Sequence, residues 1–271
     1  MFLLTLDNTT RLLRKLIDVI KEIANDQKVL FEIDDRGLMV QALDVARVCV
    51  LSLHMGPMCF NKFETSTHQI ICLNTAMLIK VLKCSAIDTE PELEMSWDGT
   101  SDNVRIRAPQ SQASFELPLF HAGDASERFE LPEPDHVLSF DSNELASTIK
   151  DLALFGDTAT FETATDGSAL NISVSNTAGM RARLRLVPKD PFQGFLAKDP
   201  ISEAKATFAL SYLTSMVKAS ALSDVLSIEL QRDRPLTMEA ALLSGRGYVR
   251  MYLAPKVDDG ASDDETNDDE D

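Results

Sequence analysis

No stretch of this sequence is long and apolar enough to span a membrane. Its opening, MFLLTLDNTT, is too short, and meets Asp7 too early, for a secretory leader. The expected setting is therefore inside the cell. Signatures of nucleotide binding and of nucleophilic catalysis are missing too: there is no GxGxxG, no GxxxxGKS/T and no GxSxG. The four histidines, His54, His68, His121 and His136, are scattered, and none has a cysteine or a paired carboxylate at ligand spacing. Cys49, Cys59, Cys72 and Cys84 form no CxxC pair and are expected to be reduced thiols packed as small hydrophobes. These absences argue against an enzyme and predict no cofactor or metal. Positive charge is scarce as well, with 26 Lys and Arg against 43 Asp and Glu and a net charge of -17. The last fourteen residues, DDGASDDETNDDED, hold nine of those acids and no base, a composition that predicts a disordered tail. Because the remainder is still acidic, a general basic surface for nucleic acid is excluded. Contact with a polyanion would need bases concentrated in one place.

What the chain does contain is enough apolar material for a large core, 44% of 271 residues, and an internal repeat. LNTAMLIKVLKCSA (73–86) followed by the alternating ELEMSW corresponds to LSYLTSMVKASALSD (210–224) followed by VLSIELQ. In the same way the amphipathic TRLLRKLIDVIKEI (10–23) leads to VLFEIDDRGLMVQALDVARVCVLSL, turning at Asp35, Arg36 and Gly37, while SNELASTIKDLALFG leads to ATFETATDGSALNISV, turning at Asp166 and Gly167. The order helix, strands, helix, strands thus occurs twice. Alternating strands with Gly, Asp and Asn at their turns predict antiparallel sheets with one buried face, covered by four helices of about ten to fifteen residues. The predicted architecture is α+β, with two similar domains at 1–119 and 137–257, an extended connector at 120–136 and the tail at 258–271.

All four predicted helices place bases opposite their apolar residues. The first carries Arg11, Arg14, Lys15 and Lys21, the second Lys80 and Lys83, the third Lys150 and the fourth Lys218. One such helix is adequately explained by solvation. Four of them, in an acidic chain, predict a basic side formed by helices and an acidic side formed by sheets, with Asp18, Glu22, Glu144 and Asp151 diluting the charge.

LKCSA (82–86), FALSYLTSMVKASALSD (208–224) and above all GYVRMYLAPKVDD (247–259) resemble the eukaryotic sliding-clamp family, that of proliferating cell nuclear antigen. The resemblance runs in register over nearly the whole folded chain, from MF through DLALFGDTATF to YLAPK. It implies the DNA clamp fold and a homotrimeric ring of six domains, with helices lining the hole and sheets outside. Such a ring is a processivity factor for DNA replication and repair in the nucleus. It has no catalytic residues. Its DNA-facing positions match Arg14, Lys15, Lys21, Lys80, Lys83, Lys150 and Lys218, with Arg11 added from the helical wheel; Leu154 stands where relatives commonly keep a polar residue.

The resemblance also implies partners: double-stranded DNA without sequence preference, a clamp loader, and DNA polymerases, nucleases and ligases carrying short hydrophobic peptide motifs. The pocket for those motifs matches Leu43, Val48, Val50, Leu131, Pro132, Pro235, Tyr252, Ala254 and Pro255, with backbone groups of Lys256 and Val257 pairing with the peptide. Arg47 replaces the family's usual histidine there, and Phe129 and Glu130 alter the connector. Subunit contacts would join SQASFEL (111–117) of one copy to MRARLRLV (180–187) of the next. Phe115 would pack on the apolar face and Glu116 meet Arg181, Arg183 and Arg185, which alternate with Ala182, Leu184 and Leu186. The family's lysine for ubiquitin attachment falls on Thr165, with Lys189 and Lys198 nearby. The alternative within the same fold is a subunit of a heterotrimeric checkpoint clamp.

Overall fold

A computed structural model describes residues 1–7, 10–24, 28–88, 90–121, 123, 129–134, 137–164, 168–188, 204–232 and 234–256, with only the backbone of residues 7, 10, 11 and 88. The turn at Asp166 and Gly167, Thr165, Lys189, Lys198, His136, Val257, the 258–271 tail and the side chain of Arg11 lie outside the described residues. Three antiparallel sheets form. The first has the order β5 (Lys62–Thr65), β1 (Phe2–Asp7), β7 (Glu92–Trp97), β8 (Asn103–Ala108), β9 (Ala113–Pro118). The second, of eight strands, runs β10 (Leu138–Asp141), β15 (Val225–Glu229), β16 (Leu236–Leu242), β17 (Gly247–Leu253), β4 (Cys49–Met55), β3 (Gly37–Leu43), β2 (Lys28–Asp34), β6 (Gln69–Asn74). The third is β13 (Arg181–Leu186), β12 (Leu170–Ser175), β11 (Thr158–Thr163), β14 (Lys205–Ala209).

The repeat is visible in these orders, since β1-β7-β8-β9 recurs as β10-β15-β16-β17 and β4-β3-β2-β6 as β13-β12-β11-β14. The middle sheet is continuous because β17 pairs with β4 from Gly247↔Met55 to Leu253↔Cys49. Glycine is required at the start of that ladder: a Cβ on Gly247 would lie 2.5 Å from the His54 carbonyl oxygen. At the β2–β3 turn Gly37 has φ 132°, and a Cβ there would meet the Met55 oxygen at 2.2 Å.

The helices form one layer against the sheets. α1 (Thr10–Ile23) packs on α2 (Thr75–Leu82), with the short α3 (Ser85–Asp88) beside them. It also meets α5 (Leu210–Met216), which in turn packs on α4 (Ser142–Leu152). Leu13, Leu16, Ile17, Ile20 and Ile23 are buried from α1, as are Leu145, Ile149 and Leu152 from α4, in one continuous core with Phe31, Leu51, Phe161 and Phe208. Two helices are shorter than expected. Leu73 pairs with Val29 in β6 and Asn74 caps α2, its side chain accepting from the Met77 amide at 2.9 Å, so the helix begins only at Thr75. α5 likewise starts after Ala209, which pairs with Thr158, and tightens into a 3-10 turn from Val217 to Ala221. Cys49, Cys59 and Cys72 are buried free thiols; Cys84 is half-buried. Burial, with Asp44 second, pushes the Cys49 thiol up to about 12, so it is inert. At the end of β7, Trp97 packs on Phe2 and donates from its indole to the Ser101 carbonyl.

Candidate functional site

The helix layer gathers the predicted bases. Lys15, Lys21, Lys80, Lys83, Lys150 and Lys218 are exposed and Arg14 is half-buried. The acids on α1 do more than dilute this charge. Glu22 lies 2.5 Å from Lys218, Asp18 lies 3.8 Å from Lys83, and Lys15 donates to the Ala221 carbonyl at 2.8 Å. Lys21, Lys80 and Lys150 make no ion pair with other described residues. Exposed pairs of this kind are worth at most about 1 kcal/mol, so a phosphate can compete for the paired lysines. Leu154 is 81% exposed, just beyond α4.

On the opposite side of the sheet, three contacts pin the connector. The Gln41 amide, on the outward face of β3, donates to the Phe129 carbonyl at 2.9 Å and accepts from the Phe129 amide at 2.8 Å. Tyr252 donates from its hydroxyl to the Pro132 carbonyl at 3.0 Å. Arg250 bonds Glu133 of the connector and Glu239 of β16, and its guanidinium lies 3.8 Å from the Tyr248 ring centroid. Burial opposes the Arg250 charge, but bonding to Glu239 outweighs it and its pKa is raised.

Next to the connector the 44–48 loop is built around Asp44. That carboxylate accepts from the amides of Ala46 (3.0 Å), Val48 (2.8 Å) and Cys49 (2.7 Å) and from the Tyr212 hydroxyl of α5 (2.6 Å). Bonding to Asp44, then burial, pushes the Tyr212 phenol up to about 12. Arg47 sits exposed at φ 59°, a left-handed position held by these bonds. Strand pairing sets Leu43 beside Val50 and Val50 beside Tyr252, and the Ala254 amide donates to the Val48 carbonyl at 2.9 Å. Leu43 and the Tyr252 ring are buried; Val48, Val50, Phe129, Leu131 and Pro255 are half-buried; Pro132, Pro235, Ala254 and Lys256 are exposed. The Lys256 amide donates to the Thr207 carbonyl at 2.7 Å. Sequence reasoning missed Gln41, Asp44, Glu133, Tyr212 and Arg250. The available signal was weak: Gln41 and Arg250 are polar residues on the outward face of otherwise apolar strands.

Two sheet edges complete the picture. β9 ends the first sheet and β13 the third. Phe115 is half-buried; Glu116 is exposed, 3.3 Å from Arg105 of its own chain. Arg181, Arg183 and Arg185 are exposed on one face of β13. Arg183 lies 3.3 Å from Glu162, and Arg185 donates to Ser168 at 3.5 Å. The other face and the strand ends leave apolar surface in water: Leu184 is 39% exposed, Met180 50% and Val187 62%. In the repeat β9 corresponds to β17 and β13 to β4, the very strands that pair inside the chain.

Comparison with known proteins gives two family matches: proliferating cell nuclear antigen, N-terminal domain, over residues 1–117, and proliferating cell nuclear antigen, C-terminal domain, over residues 130–256. Among curated relatives, proliferating cell nuclear antigen 1 of Plasmodium falciparum is 27% identical over 273 residues, covering 93% of this chain and 96% of the relative. Proliferating cell nuclear antigen 2 of Drosophila melanogaster is 26% identical over 270 residues, covering 92% and 96%.

Proposed function

The chain belongs to the proliferating cell nuclear antigen family of DNA sliding clamps, and from that premise we propose that three copies close into a ring around duplex DNA and tether replication and repair proteins to it. The supporting observation is the pair of unpaired edges. A strand edge with exposed apolar side chains calls for a partner. The internal β17–β4 ladder supplies the template for it. Carrying its register through the repeat sets Ala113 opposite Leu184, Phe115 opposite Ala182 and Glu116 opposite Arg181 of the next copy. Apolar groups then meet on one face and opposite charges on the other.

Residues 1–119 and 137–257 act as the two clamp domains, joined by the 120–136 connector and followed by an acidic tail at 258–271. The helix layer faces DNA through Arg11, Arg14, Lys15, Lys21, Lys80, Lys83, Lys150 and Lys218. These contacts are made to phosphates and carry no sequence information, which suits a protein that slides. The positive lining offsets the repulsion between two polyanions. The outward site at Leu43, Val48, Val50, Leu131, Pro235 and Tyr252 takes the apolar and aromatic side chains of polymerases, nucleases, ligases and the clamp loader, with backbone groups of the connector pairing with the peptide. The protein is a nuclear scaffold without catalytic activity of its own.

Two measurements test this. Purified alone, the protein is expected to sediment at three times its chain mass, whereas a subunit of a heterotrimeric clamp would stay monomeric. Loaded on circular DNA by a clamp loader, it is expected to remain bound until the circle is cut and then to run off the ends. Retention on the linear molecule would refute encirclement.

A further inference from the structure

Inside one chain, two polar contacts cross the helix seam where the first half meets the second. Lys218 reaches Glu22 at 2.5 Å, and Lys15 donates to the Ala221 carbonyl at 2.8 Å. The repeat identifies the residues that stand in their places where α4 of one copy would meet α2 of the next. α1 and α4 align with Leu13, Leu16, Ile17 and Ile20 on Leu145, Thr148, Ile149 and Leu152, all of them buried. α2 and α5 align from Asn74 and Ala209, the residues that precede them, with Thr75, Leu78 and Leu82 on Leu210, Leu213 and Val217, again all buried. On this register Lys218 corresponds to Lys83, Ala221 to Ala86, Lys15 to Ser147 and Glu22 to Leu154.

Neither crossing can be repeated between copies. Leu154 projects into solvent and has no carboxylate to offer. Ser147 is too short to span the gap that a lysine spans, and its hydroxyl already donates to the Glu144 carbonyl at 3.0 Å. The Ala86 carbonyl already accepts from the Ser111 hydroxyl at 3.0 Å. We propose that the helix side of the seam between copies is the weak edge of the ring, because Leu154 stands where Glu22 ties the seam within the chain and leaves the neighbouring copy's Lys83 without a carboxylate across the junction. This rests on the ring reading above and adds which part of the ring yields. The copies are held by the β9–β13 edges and come apart more readily than the two halves of one chain.

The test is Leu154→Glu, a change at an exposed position that leaves the core untouched. Its carboxylate has two lysines to choose from: Lys150, in the last turn of the preceding α4, and Lys83 of the neighbour. At low salt the protein concentration at which half the trimer dissociates is expected to fall about threefold, since three exposed ion pairs each contribute a factor of about two. The gain is expected to vanish in about 1 M salt and in a Lys83→Met background, where Lys150 is still present. No tightening, tightening that survives Lys83→Met, or a looser ring, as if Leu154 were an apolar rivet, would each overturn the proposal. A parent protein that is monomeric at every concentration would instead overturn the ring reading itself.

Discussion

Replacing Gln41 by alanine should free the connector without unfolding the protein. The side chain makes both of its hydrogen bonds to a single residue, donating to the Phe129 carbonyl and accepting from its amide, so it serves the connector as a strand neighbour would. Two neutral bonds at a half-buried site contribute about 1–2 kcal/mol together, toward the low end for neutral hydrogen bonds because water can replace them. That energy is local. Opening the connector exposes little of the core, and Leu38, Val40 and Ala42, which hold β3 in place, keep their packing. The Phe129 amide is therefore expected to exchange about 5- to 30-fold faster, with the urea midpoint of the whole protein unchanged. Tyr252→Phe removes one bond, to Pro132, and should have a smaller effect. A partner peptide that needs the ordered connector should lose affinity only as far as the closed fraction falls, hence little while the closed form still dominates. Hydrogen exchange followed residue by residue is the assay. An unchanged Phe129 rate, or equal acceleration throughout β3, would refute the reasoning.

Three further outcomes follow from the same structure. Glu116→Arg should raise the half-dissociation concentration of the trimer about tenfold, because a pairing worth about 1 kcal/mol per seam turns from attraction to repulsion; adding Arg181→Glu in the same chain should restore it, and sedimentation equilibrium would expose a failure of the rescue. Asp44→Asn should return the Tyr212 phenol from about 12 toward its ordinary value near 10, visible as a change in tyrosine absorbance between the two proteins. Because the folded-state pKa is the raised one, the stability Asp44 lends through this bond is fully present below about pH 10 and lost as the pH rises to about 12, so superimposable titrations of variant and parent would contradict it. Lys80→Ala and Lys150→Ala should weaken binding to duplex DNA more than Lys83→Ala or Lys218→Ala, whose charges Asp18 and Glu22 partly offset; each lost phosphate contact lowers the slope of log affinity against log salt by about 0.9, and four equal slopes would refute the ranking.

The duplication, the α+β class and the basic helix faces were all legible in the sequence, because each depends on short-range periodicity: apolar residues every three or four positions in a helix and every second position in a strand. Helix ends were less legible, since competition from neighbouring strands decided them; Leu73 reads as helical until Val29 claims it for β6. The residues proposed for the peptide site could be named only through family resemblance, as Leu43 and Tyr252 taken singly look like core.

What the tertiary structure alone decided is how distant groups meet. Gln41 and Phe129 are 88 residues apart, Asp44 and Tyr212 are 168 apart, and Lys15 and Ala221 are 206 apart. Nothing in local periodicity encodes such pairings; the last two join the first half of the chain to the second, which β17 holds together by lying against β4. The sequence determined that there would be two similar halves with basic helices. Only the folded chain paired β17 with β4 and left the repeat-related edges β9 and β13 open.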